Sequence, residues 1–264
     1  DLFEERRRSN KVGSSLLRFS LAKEQGKLRR IAEWMGYVPI VYSFNLPSGH
    51  SCPFAKECLS SADRITGKIK DGIHALFRCF SASMEAMSPQ LRALTWHNFD
   101  LLKRAYRDSY ETLVQLLVDS MPERMDICRV HVNGDFFNEM YMRAWFHVAG
   151  LRPDVTFYAY TKSIPYWIKN MDNIPSNFIM NGSRHGTQDH LLDEYELKTA
   201  EVVFSLEEAE EKELEIDHTE WHAIKGTDSF ALLLHGTQPK GSHAAEAKKQ
   251  LKKEGIEHEY TRKR

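Results

Sequence analysis

A regular alternation of apolar runs and helical segments constrains the fold of this 264-residue chain more than any other feature. From Asp126 onward, short, dense apolar runs are separated by segments with helical character. Together with one earlier run they predict six strands, at 38–44, 127–132, 155–161, 177–181, 200–205 and 230–235. Strands that alternate with helices pair in parallel through right-handed crossovers. The sequence therefore predicts an α/β fold, a partial (βα)6 barrel with mainly parallel strands.

The segments before and between these strands predict further helices. Apolar residues recur near helical spacing over 21–34, which predicts an N-terminal helical extension. A short helix is predicted around 73–87. Ser88 and Pro89 then form an N-cap and first-turn pattern that begins a long helix over 89–120. No linker rich in Gly, Pro or Ser divides the chain, so we interpret 1–264 as a single α/β domain that contains a cysteine loop at 45–80.

Three of the four cysteines lie close together after the first predicted strand. Cys52, Cys58 and Cys79 are separated by five and twenty residues. Gly49 and Pro53 flank the first of them, and this favours a turn. Turns commonly present thiolates to zinc or iron–sulfur centres, so the group predicts a metal site.

Two further readings of the cysteines stay open. His50 and His74 lie near enough in sequence to complete a zinc site. Free cysteines also occur as small buried hydrophobes. That second reading is the one predicted for Cys128, which period-two alternation places on the apolar face of its strand.

Polar residues follow the predicted strands where each strand ends. The carboxyl ends of parallel strands meet at one edge, where ligands of α/β proteins bind. If the polar faces point inward, the mouth of the partial barrel is lined by His131, Asn133, Tyr160, Lys162, Asn181, Ser183 and His235. Asp135 follows the second strand through a glycine and is a candidate ligand or acid–base group. Each of these residues has a structural alternative, because polar residues at strand ends also cap helices and satisfy turns.

Period-two alternation assigns these side chains to faces. It places Arg129, His131 and Asn133 on one face of the second strand, and Tyr160 and Lys162 on one face of the third. Lys162 is interpreted either as a cation for an anionic ligand or as a lysine that extends its ammonium to solvent.

The composition limits the partners. Lys and Arg number 36 against 37 Asp and Glu, so net charge gives no reason to expect nucleic-acid or membrane binding, although a local basic patch stays open. No apolar run approaches the length of a membrane span, and the charged N-terminus lacks the apolar core of a signal peptide. A cytoplasmic location is predicted.

Four motifs, in order along the chain, resemble the phage gene product eighty-eight family. They are Asn-Leu-Pro-Ser-Gly-His-Ser-Cys-Pro-Phe-Ala-Lys-Glu-Cys, Arg-Cys-Phe-Ser, Val-His-Val-Asn-Gly-Asp-Phe-Phe and Tyr-Ala-Tyr-Thr-Lys-Ser, within 43–183. The resemblance implies a phage protein in the host cytoplasm, and the family carries no firm activity. The cysteine loop followed by βα units is also similar to radical SAM enzymes. That similarity implies three cysteines on a [4Fe–4S] cluster and an iron open to S-adenosylmethionine. The cysteines of those enzymes are usually spaced by three and two residues.

The leading hypothesis is a phage-type iron–sulfur protein that binds one [4Fe–4S] cluster through Cys52, Cys58 and Cys79. It would carry out redox or radical-SAM-like chemistry at the barrel mouth, on a small-molecule substrate or an electron-transfer partner. The fourth ligand is open, with His131 and Asp135 among the candidates. The alternative is a non-enzymatic phage protein whose structural zinc or cluster supports binding of a host partner or nucleic acid. A third hypothesis is a zinc-dependent hydrolase with His131 and Asp135 near the metal.

Overall fold

In a computed structural model, which describes residues 15–22 and 26–258, eight strands form one mostly parallel sheet. Their spatial order is β1 (Phe19–Leu21), β2 (Val41–Phe44), β5 (Ile127–Val130), β6 (Thr156–Thr161), β7 (Phe178–Ser183), β8 (Thr199–Val203), β10 (Phe230–Leu233) and β9 (Glu215–Ile216). A separate antiparallel hairpin, β3 (Ser60–Ala62) and β4 (Ile69–Asp71), lies within the cysteine loop.

The predicted mainly parallel α/β fold is confirmed. Strands β2, β5, β6, β7, β8 and β10 correspond to the six predicted runs, and each pairs in parallel with the next. The edge strands were not predicted: β1 adds to β2 in antiparallel orientation, and β9 adds to β10 in parallel. Because the six strands run the same way, their carboxyl ends lie at one edge, where the cysteine loop leaves β2.

Helices connect the strands and pack on the sheet. They are α1 (Gly26–Arg29), α2 (Ala32–Met35), α3 (Phe80–Met87), α4 (Pro89–Asp108), α5 (Tyr110–Ser120), α6 (Glu139–Gly150), α7 (Ile164–Lys169), α8 (Asp189–Glu194), α9 (Leu206–Glu211), α10 (Trp221–Ile224) and α11 (His243–Lys253). A 3-10 turn, Met171–Asn173, follows α7.

Three helix predictions need correction. In place of one helix over 21–34 the structure has the end of β1 and the four-residue helices α1 and α2, while 23–25 lie outside the described residues. The helix predicted around 73–87 begins only at Phe80, with Cys79 at its N-cap. The helix over 89–120 is two helices. Ser109 is extended there, and its hydroxyl accepts the Thr112 N–H at 3.0 Å as the N-cap of α5.

One face of the sheet packs against α4, α5 and α6 and forms the larger part of the core. Cys128 and Val130 of β5 point to this side, as does Phe157 of β6. Trp145 of α6 is fully buried there, edge-on to Phe44 with ring centroids 5.2 Å apart. Burial of such rings contributes a large share of the apolar stabilisation.

The opposite face changes character along the strands. Toward the amino ends it is apolar, and Val41, Ile127 and Phe230 pack there against residues of α1 and α10 such as Leu28 and Ala223. Toward the carboxyl ends the same face carries polar side chains, namely Arg129, Tyr160, Lys162, Asn181 and Ser183. We call these five residues the polar face.

No helix within 15–22 and 26–258 combines the length and the apolar character that crossing a bilayer requires. The cytoplasmic location stays a prediction.

Candidate functional site

The backbone conformation of Gly49 positions Cys52 at the carboxyl edge of the sheet. Gly49 has φ +75°, and a Cβ at this position would lie 2.5 Å from the Ser60 carbonyl oxygen. The Gly49 N–H points to the Cys52 Sγ at 3.4 Å. The tight turn therefore presents the Cys52 thiol beside the hairpin.

The other two cysteines approach from the hairpin side. Cys58 packs against a small apolar cluster that includes Phe77 and Leu234. Cys79 is the N-cap residue of α3, and the nearby N–H groups of Ser81 and Ala82 act to lower the pKa of its thiol, against the larger effect of burial.

Cys52 and Cys79 lie close enough to neighbouring thiols for these to raise their pKa values. Burial, with smaller contributions from Asp135 and Cys79, raises the pKa of Cys52 well above its ordinary value. Burial and the neighbouring Cys58 raise the pKa of Cys79 to about 11. At neutral pH the thiols of Cys52 and Cys79 are therefore protonated.

The ammonium of Lys162 lies among these thiols. Its Nζ donates to the Ser183 hydroxyl at 2.6 Å. Burial by itself lowers the pKa of Lys162, but the nearby Cys58, Asp135 and other thiols outweigh it, so the pKa is raised and the amine stays charged. We call Cys52, Cys58, Cys79 and Lys162 the thiol–lysine cluster.

Asp135 stabilises the backbone that carries Lys162 of the thiol–lysine cluster. Its Oδ1 accepts the Thr161 hydroxyl at 2.6 Å and the Phe136 N–H at 2.7 Å, and its Oδ2 accepts the Lys162 N–H at 2.8 Å. Burial raises the pKa of Asp135 to about 6. These bonds tie the loop after β5 to the end of β6, so the observed role of this carboxyl is to fix the backbone of Lys162.

Asn133 belongs to a buried hydrogen-bond network that sequence reasoning did not identify. The Glu85 Oε1 accepts the Asn133 Nδ2 at 2.9 Å and the Ser48 hydroxyl at 2.7 Å. Burial raises the pKa of Glu85. The network joins the cysteine loop, α3 and the loop after β5, so it holds the elements that carry the thiols.

Tyr160 and Arg129 lie deeper on the polar face. The Arg129 guanidinium stacks over the Tyr160 ring, with its carbon 4.6 Å from the ring centroid. The Glu220 carboxylate accepts the Tyr160 hydroxyl at 3.1 Å and pairs with Arg129 at 3.4 Å and Lys27 at 3.2 Å. Burial alone would raise the pKa of Glu220, but the two cations lower it to about 2. Glu220 and Lys27 were not predicted, and no local pattern marks residues so distant in sequence.

His131 does not lie at the mouth, in contrast to the sequence prediction. Strand β5 ends at Val130, so period-two alternation does not extend to the next residue. The His131 ring lies on the helix side, 4.8 Å from the Phe136 ring and with Nε2 2.8 Å from the Tyr141 hydroxyl. Burial lowers its pKa to about 3, so it is neutral.

The remaining predicted residues have structural partners. Asn181 is fully buried and its Nδ2 donates to the carbonyls of Ala159 and Ala223, which fastens α10 to the sheet. His235 is half-buried with its ring 4.6 Å from that of Phe80, and burial lowers its pKa to about 4.

The two histidines considered as zinc ligands lie outside the cluster's interior. His50 is exposed and its Nε2 lies 3.3 Å from the Ala62 carbonyl oxygen, while His74 is exposed. Cys128 is fully buried in the helix-side core.

Comparison with known proteins identifies the family of this chain. The family model described as Gene product 88 matches residues 13–254. This chain belongs to the Gene product 88 family. Two Gene 88 proteins are similar to it, from Mycobacterium phage L5 at 30% identity and from Mycobacterium phage D29 at 29%, each over 133 residues. These alignments cover 47% of this chain and 49% of each relative, so the aligned part spans about half the length of the curated relatives.

The phage-family resemblance is thus confirmed, whereas a radical-SAM-like organisation is not shown. No solved structure matches this Gene product 88 chain. Binding of S-adenosylmethionine stays a prediction.

The predicted iron–sulfur function is wrong. Within the part of the chain that the structure describes, no group of three or more His, Cys, Asp or Glu side chains is arranged to hold a metal ion. The descriptions of the Gene product 88 family and of its relatives name no iron–sulfur centre. The alternative with a structural zinc or cluster is corrected on the same grounds.

Proposed function

We propose that this Gene product 88 protein binds a small molecule through an anionic group at Lys162. The observation that carries the proposal is the setting of the ammonium. It is half-buried and stays charged, and its one described side-chain hydrogen bond is to a neutral hydroxyl, that of Ser183. A buried cation is costly unless an anion and further acceptors compensate it.

The groups around Lys162 do not use all the N–H donors of its ammonium, so donors remain for a ligand. Both oxygens of Asp135 accept bonds from other groups, and within residues 15–22 and 26–258 Lys162 forms no ion pair within 4.0 Å. The thiols of Cys52 and Cys79 are neutral at neutral pH because burial raises their pKa values. A carboxylate or phosphate group supplies acceptors for the remaining donors of the ammonium.

The position of the cluster supports the same proposal. Ligands of parallel α/β proteins bind beyond the carboxyl ends of the strands, and Lys162 and Ser183 terminate or directly follow neighbouring strands there. We propose further that the sheet curves around its polar face as a partial (βα)6 barrel. This is supported by the chain-order sequence of the six parallel strands and by the long helices on the opposite face.

Isothermal titration calorimetry with inorganic phosphate tests the binding proposal. We expect wild-type protein to bind phosphate and Lys162→Met to lose at least about tenfold in affinity, since one charged contact contributes about 1.4 kcal/mol or more. Lys169→Met is the matched control, because the Lys169 side chain is 64% exposed and, among the described residues, pairs with Glu139 at the surface. Equal affinity of the two variants, or no binding by the wild type, would overturn the proposal.

A further inference from the structure

The hairpin of β3 and β4 presents two lysines on its outward face. Ser61 pairs with Lys70 across the two strands, and the Asp63 N–H, which donates to the Lys68 carbonyl at 2.8 Å, continues this register. Side chains two residues apart in a paired strand share a face. Lys68 and Lys70 are both exposed, whereas Ala62 is fully buried on the inward face. The hairpin therefore points two neighbouring cations toward solvent.

The tip of the hairpin is fixed on α4 through Trp96. The Arg64 guanidinium lies over the Trp96 ring, with its carbon 4.7 Å from the ring centroid, and pairs with Asp100 at 2.6 Å. The ammonium of Lys103 lies 5.8 Å from the same centroid and 3.4 Å from the other Asp100 oxygen. Arg92 of α4 also donates to the Arg64 carbonyl at 3.1 Å. The hairpin and α4 therefore present their charges on one continuous surface.

The cations continue along α4. Lys103 and Arg107 follow Trp96 by seven and eleven residues, so the three side chains lie on one stripe of the helix. Arg104 lies next to this stripe, and its Nε donates to the Asp100 carbonyl at 3.3 Å. Arg104 and Arg107 are exposed. We call the six cations of the hairpin and of this helix segment the basic row: Arg64, Lys68, Lys70, Lys103, Arg104 and Arg107.

The carboxylates of the hairpin and α4 do not neutralise the basic row. Asp100 is shared by two of its members, and Asp71 pairs at 2.5 Å with Arg78, which is outside the row. Asp63 accepts backbone N–H groups of the hairpin turn, and Asp108 accepts a hydroxyl at the start of α5. Among the residues that the structure describes, four members of the row form no ion pair within 4.0 Å, namely Lys68, Lys70, Arg104 and Arg107.

We propose that the basic row binds the phosphate backbone of a nucleic acid, independently of base sequence. The row extends over about 25 Å, given a rise of about 3.4 Å per strand residue and about 1.5 Å per helix residue. A duplex carries one phosphate per about 3.4 Å of each strand, so the row spans about seven phosphates. No member of the row belongs to the thiol–lysine cluster, so this inference is independent of the proposed function.

The apolar residues beside the row favour a nucleic acid over a lipid surface. Proteins that bind lipid surfaces combine their cations with an apolar face that enters the acyl region. In the hairpin and α4 the exposed large apolar side chains are those of Ile65 and Tyr106. Two separate side chains do not form such a face, whereas phosphate contacts need only the cations.

Fluorescence anisotropy with a labelled DNA duplex of about 20 base pairs tests the proposal. We expect the wild type to bind with a Kd of about 10⁻⁵ M at about 0.1 M salt, and log K to fall against log salt with a slope of about −4. Lys68→Gln/Lys70→Gln should weaken binding about tenfold and make this slope about 2 smaller in magnitude, because two phosphate contacts are lost.

Lys252→Gln/Lys253→Gln is the matched control for this double variant. It changes the net charge by the same amount, at two exposed lysines in the last turn of α11. This helix packs through Leu251 against β8 and β10, and not against the hairpin. Because salt screens distant charges, affinity and slope should stay within about twofold of the wild type. Urea denaturation checks that both double variants are folded.

Three results would overturn the proposal. Equal losses in the two double variants would show that net charge acts and that the basic row does not. Absence of DNA binding by the wild type at about 0.05 M salt, or a salt slope unchanged in the hairpin variant, would exclude phosphate contacts by these lysines. Binding of phosphatidylserine vesicles through Lys68 and Lys70 without DNA binding would assign the row to a lipid surface instead.

Discussion

At the scale of single residues, the backbone of Gly49 decides where the first thiol lies. Its φ of +75° is a conformation that side-chain-bearing residues rarely adopt, and the space beside its Cα is filled by the carbonyl of Ser60. The turn therefore depends on glycine for two separate reasons, strain and space. Substitution at this position acts on the cysteine loop without touching a thiol.

Gly49→Ala is expected to lower the free energy of unfolding, measured by urea denaturation, by about 2–4 kcal/mol. A left-handed backbone costs a residue with a side chain about 1–2 kcal/mol, and the clash of the added Cβ with Ser60 increases this cost. Gly241→Ala is the matched control. Gly241 has φ +80° with no atom within 4 Å of an added Cβ, so this variant bears the backbone cost alone. Equal losses in the two variants would show that the loop yields and that the close approach to Ser60 is unimportant.

Residue-scale prediction succeeded within the strands and failed just beyond one of them. Alternation correctly placed Tyr160 on the face of β6 opposite Phe157, and Cys128 on the opposite side of the sheet from Arg129. It failed for His131, because the rule holds only while the backbone is a strand, and β5 ends one residue earlier. The assignment of Cys52, Cys58 and Cys79 to a functional site stays a prediction.

At the scale of elements, apolar density predicted the strands better than periodicity predicted the helices. The six parallel strands contain dense apolar runs, because apolar side chains pack on both faces of the sheet. The hairpin of β3 and β4 was missed because its strands have three residues each and include Ser60 and Ser61. In the N-terminal segment, Leu28 of α1 and Ile31, the residue before α2, both pack on the sheet, and this gives the same apolar spacing as one amphipathic helix.

The break between α4 and α5 provides a test at this scale. Ser109 accepts the Thr112 N–H at 3.0 Å, so Ser109→Ala should lower the free energy of unfolding by about 1 kcal/mol, the usual cost of a lost N-cap. Ser109→Asn retains an N-cap acceptor and should stay close to wild type. Urea denaturation measures both. A more stable alanine variant would indicate that packing against α6, and not the cap, breaks the helix.

At the scale of the whole molecule, the sheet separates two chemical environments. The helix side is apolar and encloses Cys128, which has no exposed surface, and burial raises the pKa of its thiol. The carboxyl edge holds the other three cysteines, which are partly exposed and lie beside an ammonium. Parallel topology predicts that strand ends converge at this edge. It does not predict Glu220, whose short segment reaches Arg129 from 91 residues away along the chain.

This division predicts how the cysteines react. Lys162 lowers the pKa of Cys79, although burial dominates and sets it at about 11. Removing the ammonium in Lys162→Met should therefore raise this pKa further, decrease the thiolate fraction, and slow alkylation of Cys79 by iodoacetamide from neutral to mildly alkaline pH. Mass spectrometry of digests measures the rate at each cysteine, with Lys169→Met as the charge-matched control.

Cys128 serves as the internal reporter of folding in the same experiment. It should remain unmodified in the wild type and in both variants until urea unfolds them, because iodoacetamide cannot reach the helix-side core. Faster alkylation of Cys79 in Lys162→Met, with Cys128 still unreactive, would contradict the electrostatic account. The fold would then be intact, and the ammonium would shield the thiol instead of promoting its ionisation. Unchanged alkylation would place Lys162 too far from Cys79 to act on it, and the thiol–lysine cluster would not be a single site.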